Sequence, residues 1–213
     1  DIYLLLPSSK IVDIISTLTK NNIYESFYRI HKVEDYYLDR IDNYNNLLLN
    51  LEFYEFYKSY SHILIAQMDA YTFSDQLIKW CNSDWDYIGA PIYYWNKYSN
   101  PYYFCCGDGG FNLRSIKKTI EVLKKNPIIY KFDDFKIDSK DYNLKGKVIL
   151  FFKFLVTKLL RKDCLKRPFI KSRLDEILRK FYIFINEDVS YGKFLPKYLP
   201  CFKVANFDDS IKF

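Results

Sequence analysis

Residues 61–71 read S-H-I-L-I-A-Q-M-D-A-Y, and the short apolar run from His62 to Ala66 constrains the fold more than any other stretch. An apolar run of this length, bounded by polar residues, is the mark of a strand buried on both faces, as in a parallel sheet. The run stops at Gln67, Met68 and Asp69. In open α/β sheets ligands bind just outside the carboxyl ends of strands, so Asp69 is placed to hold a metal or a substrate. The plainer role for Asp69 is to start the next turn.

The chain before this run has a strand, helix, strand order. Residues 2–6 predict a first strand, Ser8 and Ser9 offer a helix cap, and Ile11, Ile14, Ile15 and Leu18 recur at helical spacing. Residues 24–33 predict a second strand. Such a unit predicts parallel pairing through a right-handed crossover. Residues 39–60 carry Leu47, Leu48, Leu51, Tyr54 and Tyr57 at three- and four-residue spacing and predict a helical region leading into the run.

Beyond Asp69 the sequence predicts a short helix over 74–81, a strand over 87–91 cut off by Pro91, and an aromatic loop from Ile92 to Phe104. Cys106-Gly107-Asp108-Gly109-Gly110-Phe111 follows, then a helix over 116–125 capped by Ser115. Residues 130–146 read as irregular, and 147–160 and 171–184 as helices. Asn186-Glu187-Asp188-Val189 opens a further short helix, and 202–205 is a final strand. The expectation is one α/β domain over 1–213 with a helical basic insertion at about 145–184. Asp1 to Pro7 reads as a strand already under way, so an N-terminal strand is expected to be missing.

Charge and thiols narrow the function classes. Net charge is +6, but residues 145–180 hold twelve Lys or Arg against Asp163, Asp175 and Glu176, leaving −3 for the remainder. The stretch from Lys145 to Lys180 fits either peripheral contact with an anionic membrane or a solvated helical face. No nucleic-acid-binding module accompanies the charge, so nucleic acid is not expected as a partner. No apolar stretch reaches the ~20 residues that span a bilayer, and no secretory leader is recognisable. The five cysteines include no C-x-x-C pair and only His31 and His62 accompany them, which predicts free thiols in a cytoplasmic protein and no zinc site.

Four clusters bear chemistry. Gly107, Gly109 and Gly110 are three of the six glycines in the chain, and such a turn can offer backbone N–H groups to a ligand or simply close a hairpin. It is neither G-x-G-x-x-G nor a P-loop, so nucleoside triphosphate hydrolysis has no support. Glu187 and Asp188 could supply a general base, or could merely complement a helix N-terminus. Tyr93, Tyr94 and Trp95 could stack on a sugar or belong to the core. Asp84-Trp85-Asp86 is the one literal D-x-D with an aromatic centre, yet it precedes its strand and reads as a turn.

Taken in order, Y-N-N-L-L-L at 44–49, I-L-I-A-Q-M-D-A-Y-T-F, D-Y-I-G-A-P, G-D-G-G-F-N-L-R-S and N-E-D-V-S-Y-G resemble an uncharacterised bacterial family similar to GT-A-type glycosyltransferases. The resemblance implies a GT-A-like, Rossmann-like, mostly parallel sheet flanked by helices. It also implies transfer of a sugar from a nucleoside diphosphate sugar to a hydroxyl of a glycan or lipid-linked acceptor in surface polysaccharide synthesis. On this reading Gln67 and Asp69 stand where the family's D-x-D motif would be, with Asp69 the ligand of Mn²⁺ or Mg²⁺. Gln67, Asp69, Asp108, Gly109 and Gly110 would bind the donor, and Trp95, Phe111 and Asn186 the acceptor. Glu187 or Asp188 would be the base, and Asp108 stands where relatives often carry Asn. GT-A folds open with a further strand that has no room before Asp1. The alternative is a non-catalytic glycan-binding or peripheral membrane scaffold domain.

Overall fold

The computed structural model describes residues 1–94, 101–125, 148 and 187–213. The basic insertion (Val148 apart), its two predicted helices, Trp95 and Asn186 lie outside the described residues.

The strand, helix, strand unit read at the start is present. Strand β1 (Tyr3–Pro7) and β2 (Arg29–Val33) pair in parallel, with Leu5 opposite His31, and α1 (Ile11–Lys20) crosses between them. The half-buried residues of α1 include Ile11, Ile14, Ile15 and Leu18, the apolar positions that its spacing set on one side. The predicted helical region after it is two helices, α2 (Ile41–Leu47) and α3 (Leu51–Phe56). Asn50 divides them, because its side-chain oxygen accepts from the Glu52 N–H at 3.0 Å and so caps α3.

The apolar run is β3 (His62–Ala66), followed by α4 (Leu77–Cys81), β4 (Tyr87–Gly89), β5 (Pro91–Tyr94), β6 (Tyr102–Cys106), β7 (Phe111–Ser115) and α5 (Ile116–Lys125). Here the expectation of a GT-A-like, mostly parallel sheet is overturned. The run sits in a three-stranded sheet of order β3-β7-β4, in which β7 is antiparallel to both neighbours. A separate antiparallel ribbon is made by β5 and β6, and β1 with β2 is the one parallel strand pair among the described strands. The physical reason lies in 107–115. The chain turns back through Gly107–Gly110 into β7, for which no strand was predicted, and β7 slots between β3 and β4.

The middle sheet separates two apolar layers. Side chains at cross-strand partners share a face, so Arg114 lies with Ile63 and Tyr87, and Asn112 with Ile65 and Gly89. That face meets the larger core, built from Leu47, Leu48, Phe53, Tyr54, Ile116, Tyr191 and Phe194 among others. The opposite face presents Leu113 and Ile88 to Trp80, Cys106 and Ala205. Each fully buried Leu or Phe adds about 1.5–3 kcal/mol. Two polar residues therefore point into the apolar side of a sheet, and their partners become the main structural question.

Past the second described break the chain runs through α6 (Glu187–Val189), a π-helical turn (Ser190–Phe194), α7 (Leu195–Tyr198) and α8 (Phe207–Ser210). The strand predicted at 202–205 contributes an isolated parallel bridge between Tyr87 and Val204. Cys81, Cys105, Cys106 and Cys201 are free thiols. No helix among the described residues is long and apolar enough to cross a membrane.

Candidate active site

Arg114 answers the question of the polar partners. Its side chain is fully buried, and its guanidinium donates from Nε to Asn112 Oδ1 at 2.6 Å, from one terminal nitrogen to the Tyr54 hydroxyl at 2.6 Å, and from the other to Glu187 Oε2 at 2.8 Å. The Glu187 side chain is 3% exposed, so both charges are out of water. Burial opposes the charge on Arg114, yet Glu187 and the surrounding tyrosines hold its pKa well above the usual value. The guanidinium also lies over the rings of Tyr191 at 4.8 Å and Tyr87 at 5.3 Å. Tyr54 is fixed in turn by donating to the Leu48 carbonyl at 2.8 Å, and burial pushes its phenol up to about 12. The fork geometry of Arg suits this three-way role.

Asn112 carries the network to the glycine turn. Its amide nitrogen donates to the carbonyls of Asp108 at 3.2 Å and Gly109 at 3.1 Å, while Gly110 N–H is held by Asp108 Oδ1 at 3.1 Å. Gly107 has φ +102°, and a Cβ there would overlap the Tyr87 ring. Tyr87 needs that space, because its hydroxyl donates to the Gly107 carbonyl at 2.9 Å. Gly107→Ala is expected to lower stability by roughly 2–4 kcal/mol, from positive-φ strain and overpacking together. Urea denaturation that found less than about 1 kcal/mol would sink this account of the turn.

The acid pair closes over this turn. A Cβ on Gly109 would stand 3.0 Å from Glu187 Oε1 and 3.4 Å from Asp188 Oδ2, so glycine is what lets both carboxylates approach the backbone. The Glu187 N–H donates to Asn45 Oδ1 of α2 at 2.9 Å, anchoring the start of α6. Asp188 is half-buried, and burial, then the charge of Asp108, raises its pKa above the usual carboxylate value. Hydrogen bonds from the N–H groups of Val189 and Gly109 pull the other way. Glu187 is engaged by Arg114, so Asp188 is the carboxylate of the pair suited to accept a proton.

The strand end completes the cluster. Gln67 N–H donates to the Gly110 carbonyl at 2.8 Å, and its side-chain oxygen would lie 3.3 Å from a Cβ on Gly110. Tyr44 of α2 hydrogen-bonds the Gln67 side chain and feels the charges of Glu187 and Arg114. Asp69 is exposed in the turn just after Gln67, and Asp108 is exposed at the glycine turn. Phe111 begins β7 and packs its ring 5.2 Å from that of Phe213. Among the described residues no three His, Cys, Asp or Glu side chains are grouped to hold a metal ion by themselves.

The structure thus brings together Gln67, Asp108, Gly109, Gly110, Glu187 and Asp188. Asp84-Trp85-Asp86 contacts the C-terminal stretch: Asp86 accepts from the Lys203 N–H at 2.9 Å, Asp84 meets Lys203 Nζ at 3.0 Å, and Trp85 Nε1 donates to Asp209 at 3.0 Å. The reading from sequence did not single out Tyr44, Asn45, Tyr54, Asn112 or Arg114 as site residues. The signal that finds the last two is Asn112 and Arg114 at alternate positions around Leu113, polar groups on a strand face that has a core to meet.

A family model described as "Protein of unknown function (DUF5672)" matches residues 27–213. No curated protein and no solved structure matches the chain.

Proposed function

From the premise that the chain belongs to the DUF5672 family, described as of unknown function, we propose that it transfers a sugar from a nucleoside diphosphate sugar to a hydroxyl of a glycan or lipid-linked acceptor. The observation that carries the reading is the meeting of Asp188 with the Gly109–Gly110 turn, at the strand end that bears Gln67 and Asp69. Asp188 takes the proton of the acceptor hydroxyl, whose oxygen then displaces the nucleoside diphosphate at the anomeric carbon. A carboxylate with a raised pKa suits this work, since its proton affinity comes closer to that of the group it must deprotonate. The glycine turn brings backbone against the donor sugar without a side chain between them.

Mn²⁺ or Mg²⁺ belongs to the same reading. Asp69, exposed just past the strand end, is the residue that would hold the cation through its carboxylate. When bound, the cation neutralises charge on the departing diphosphate. A cytoplasmic location, with the stretch from Lys145 to Lys180 against the inner face of the membrane, is part of the proposal.

The test is a thermal-shift screen of nucleoside diphosphates and their sugars, with and without Mn²⁺, on this chain and on Asp69→Ala, followed by assay of product from the hit. At a hundred times Kd a ligand stabilises the native state by ~2.7 kcal/mol, roughly 5–10 °C in Tm for a chain of this length. The expected result is a metal-dependent shift for one nucleotide, absent in Asp69→Ala. Oligosaccharide binding with no shift from any nucleotide and no turnover would replace the transferase reading with a glycan-binding one.

A further inference from the structure

We propose that Arg114 is the positioning residue of this site. Its guanidinium sets the glycine turn through Asn112 and sets Asp188 through Glu187, so one side chain fixes the gap between the two lips. The inference rests on the transferase reading for its kinetic arm alone.

The geometry separates this role from simple stabilisation. One lip is the turn, whose carbonyls at Asp108 and Gly109 are held by Asn112 Nδ2, and Asn112 Oδ1 is held by Arg114 Nε. The other lip is the start of α6, where Arg114 holds Glu187 Oε2 while Glu187 Oε1 faces Gly109. Asp188 is the next residue and stands over the same glycine. The Arg114 side chain is closed off from solvent, so it cannot touch a substrate and acts through its neighbours. Tyr54 and the two rings under the guanidinium leave it one orientation.

A buried ion pair that serves the fold alone can be exchanged for neutral side chains with little loss. The paired variant Arg114→Met/Glu187→Gln therefore tests the claim, with Arg114→Lys as a second probe that keeps the charge but cannot reach Asn112 and Glu187 together. Both are checked for cooperative melting. In each, kcat is expected to fall at least ~10-fold, because small misplacement of a reacting group costs rate. Hydrogen exchange at the Gly109 and Gly110 amides is expected to quicken at least ~10-fold while α5 is unchanged.

The exchange arm needs no turnover. If the wild-type chain transfers no sugar yet exchange at the turn quickens in either folded variant, the transferase reading fails and the positioning role stands. Unchanged exchange at the turn in a folded variant overturns the proposal, as does an unchanged kcat where the wild type is active.

Discussion

Arg114→Met is expected to lower the stability of the fold by about 3–5 kcal/mol, a large share of the roughly 5–15 kcal/mol that holds a domain together. Removing the guanidinium takes away the cation 2.8 Å from the Glu187 carboxylate in a site that is closed to water. It also leaves Asn112 Oδ1 without the donor that reaches it at 2.6 Å. With that cation gone, burial favours the protonated carboxyl and raises its folded pKa above the unfolded value. For such a group the penalty is absent below the unfolded pKa and grows as pH rises toward the folded one, so the loss is larger at pH 8 than at pH 4. Urea denaturation across that range checks both size and sign. A loss below about 1 kcal/mol at pH 8 would mean that the ion pair carries no structural weight.

Asp188→Asn should reduce transfer by roughly 10²–10⁴-fold, the usual contribution of a positioned general base. The substitution keeps the shape of the side chain, so the nucleotide-induced thermal shift should survive. In the proposed reaction the base must be ionised, and burial, then Asp108, raises the Asp188 pKa above the usual 3.8. The rate should therefore fall on the acid side at a higher pH than an unperturbed aspartate would set. Asp108→Asn removes the like charge and should move that limb to lower pH. The same raised pKa makes Asp188 a cost to folding that grows as pH climbs from the unfolded pKa to the folded one and is complete above it, so Asp188→Asn should be neutral or stabilising at pH 7. An Asp188→Asn enzyme with wild-type kcat would remove Asp188 from the reaction.

Local pattern made part of this legible in the sequence. The period of α1, the apolar run of β3, the clustered glycines and the acid pair all lie within a few residues of the signal that reveals them. Strand direction does not. An apolar run such as 62–66 is the same string whether its neighbours run with it or against it, so the antiparallel β3-β7-β4 sheet was read as parallel. Strand β7 escaped for a related reason. Asn112 and Arg114 look like loop residues until their partners are known, and Tyr54 and Glu187 lie 60 and 73 positions from Arg114. The split between α2 and α3 turned on a single capping side chain at Asn50. The ribbon of β5 and β6 carried aromatic side chains on both strands and lacked a short hairpin signal in its connection.

The spacing of the Arg114 network also sets an order of events during synthesis. Tyr54 and β3 leave the ribosome before Arg114, but Glu187 follows it by 73 residues. At about 5–20 residues per second, Arg114 waits roughly 4–15 s for its counter-ion. During that interval the nascent chain cannot bury β7 without an unpaired charge. The two lips of the site therefore join only when the segment carrying Glu187 arrives, and a chain halted before it would keep Arg114 in water.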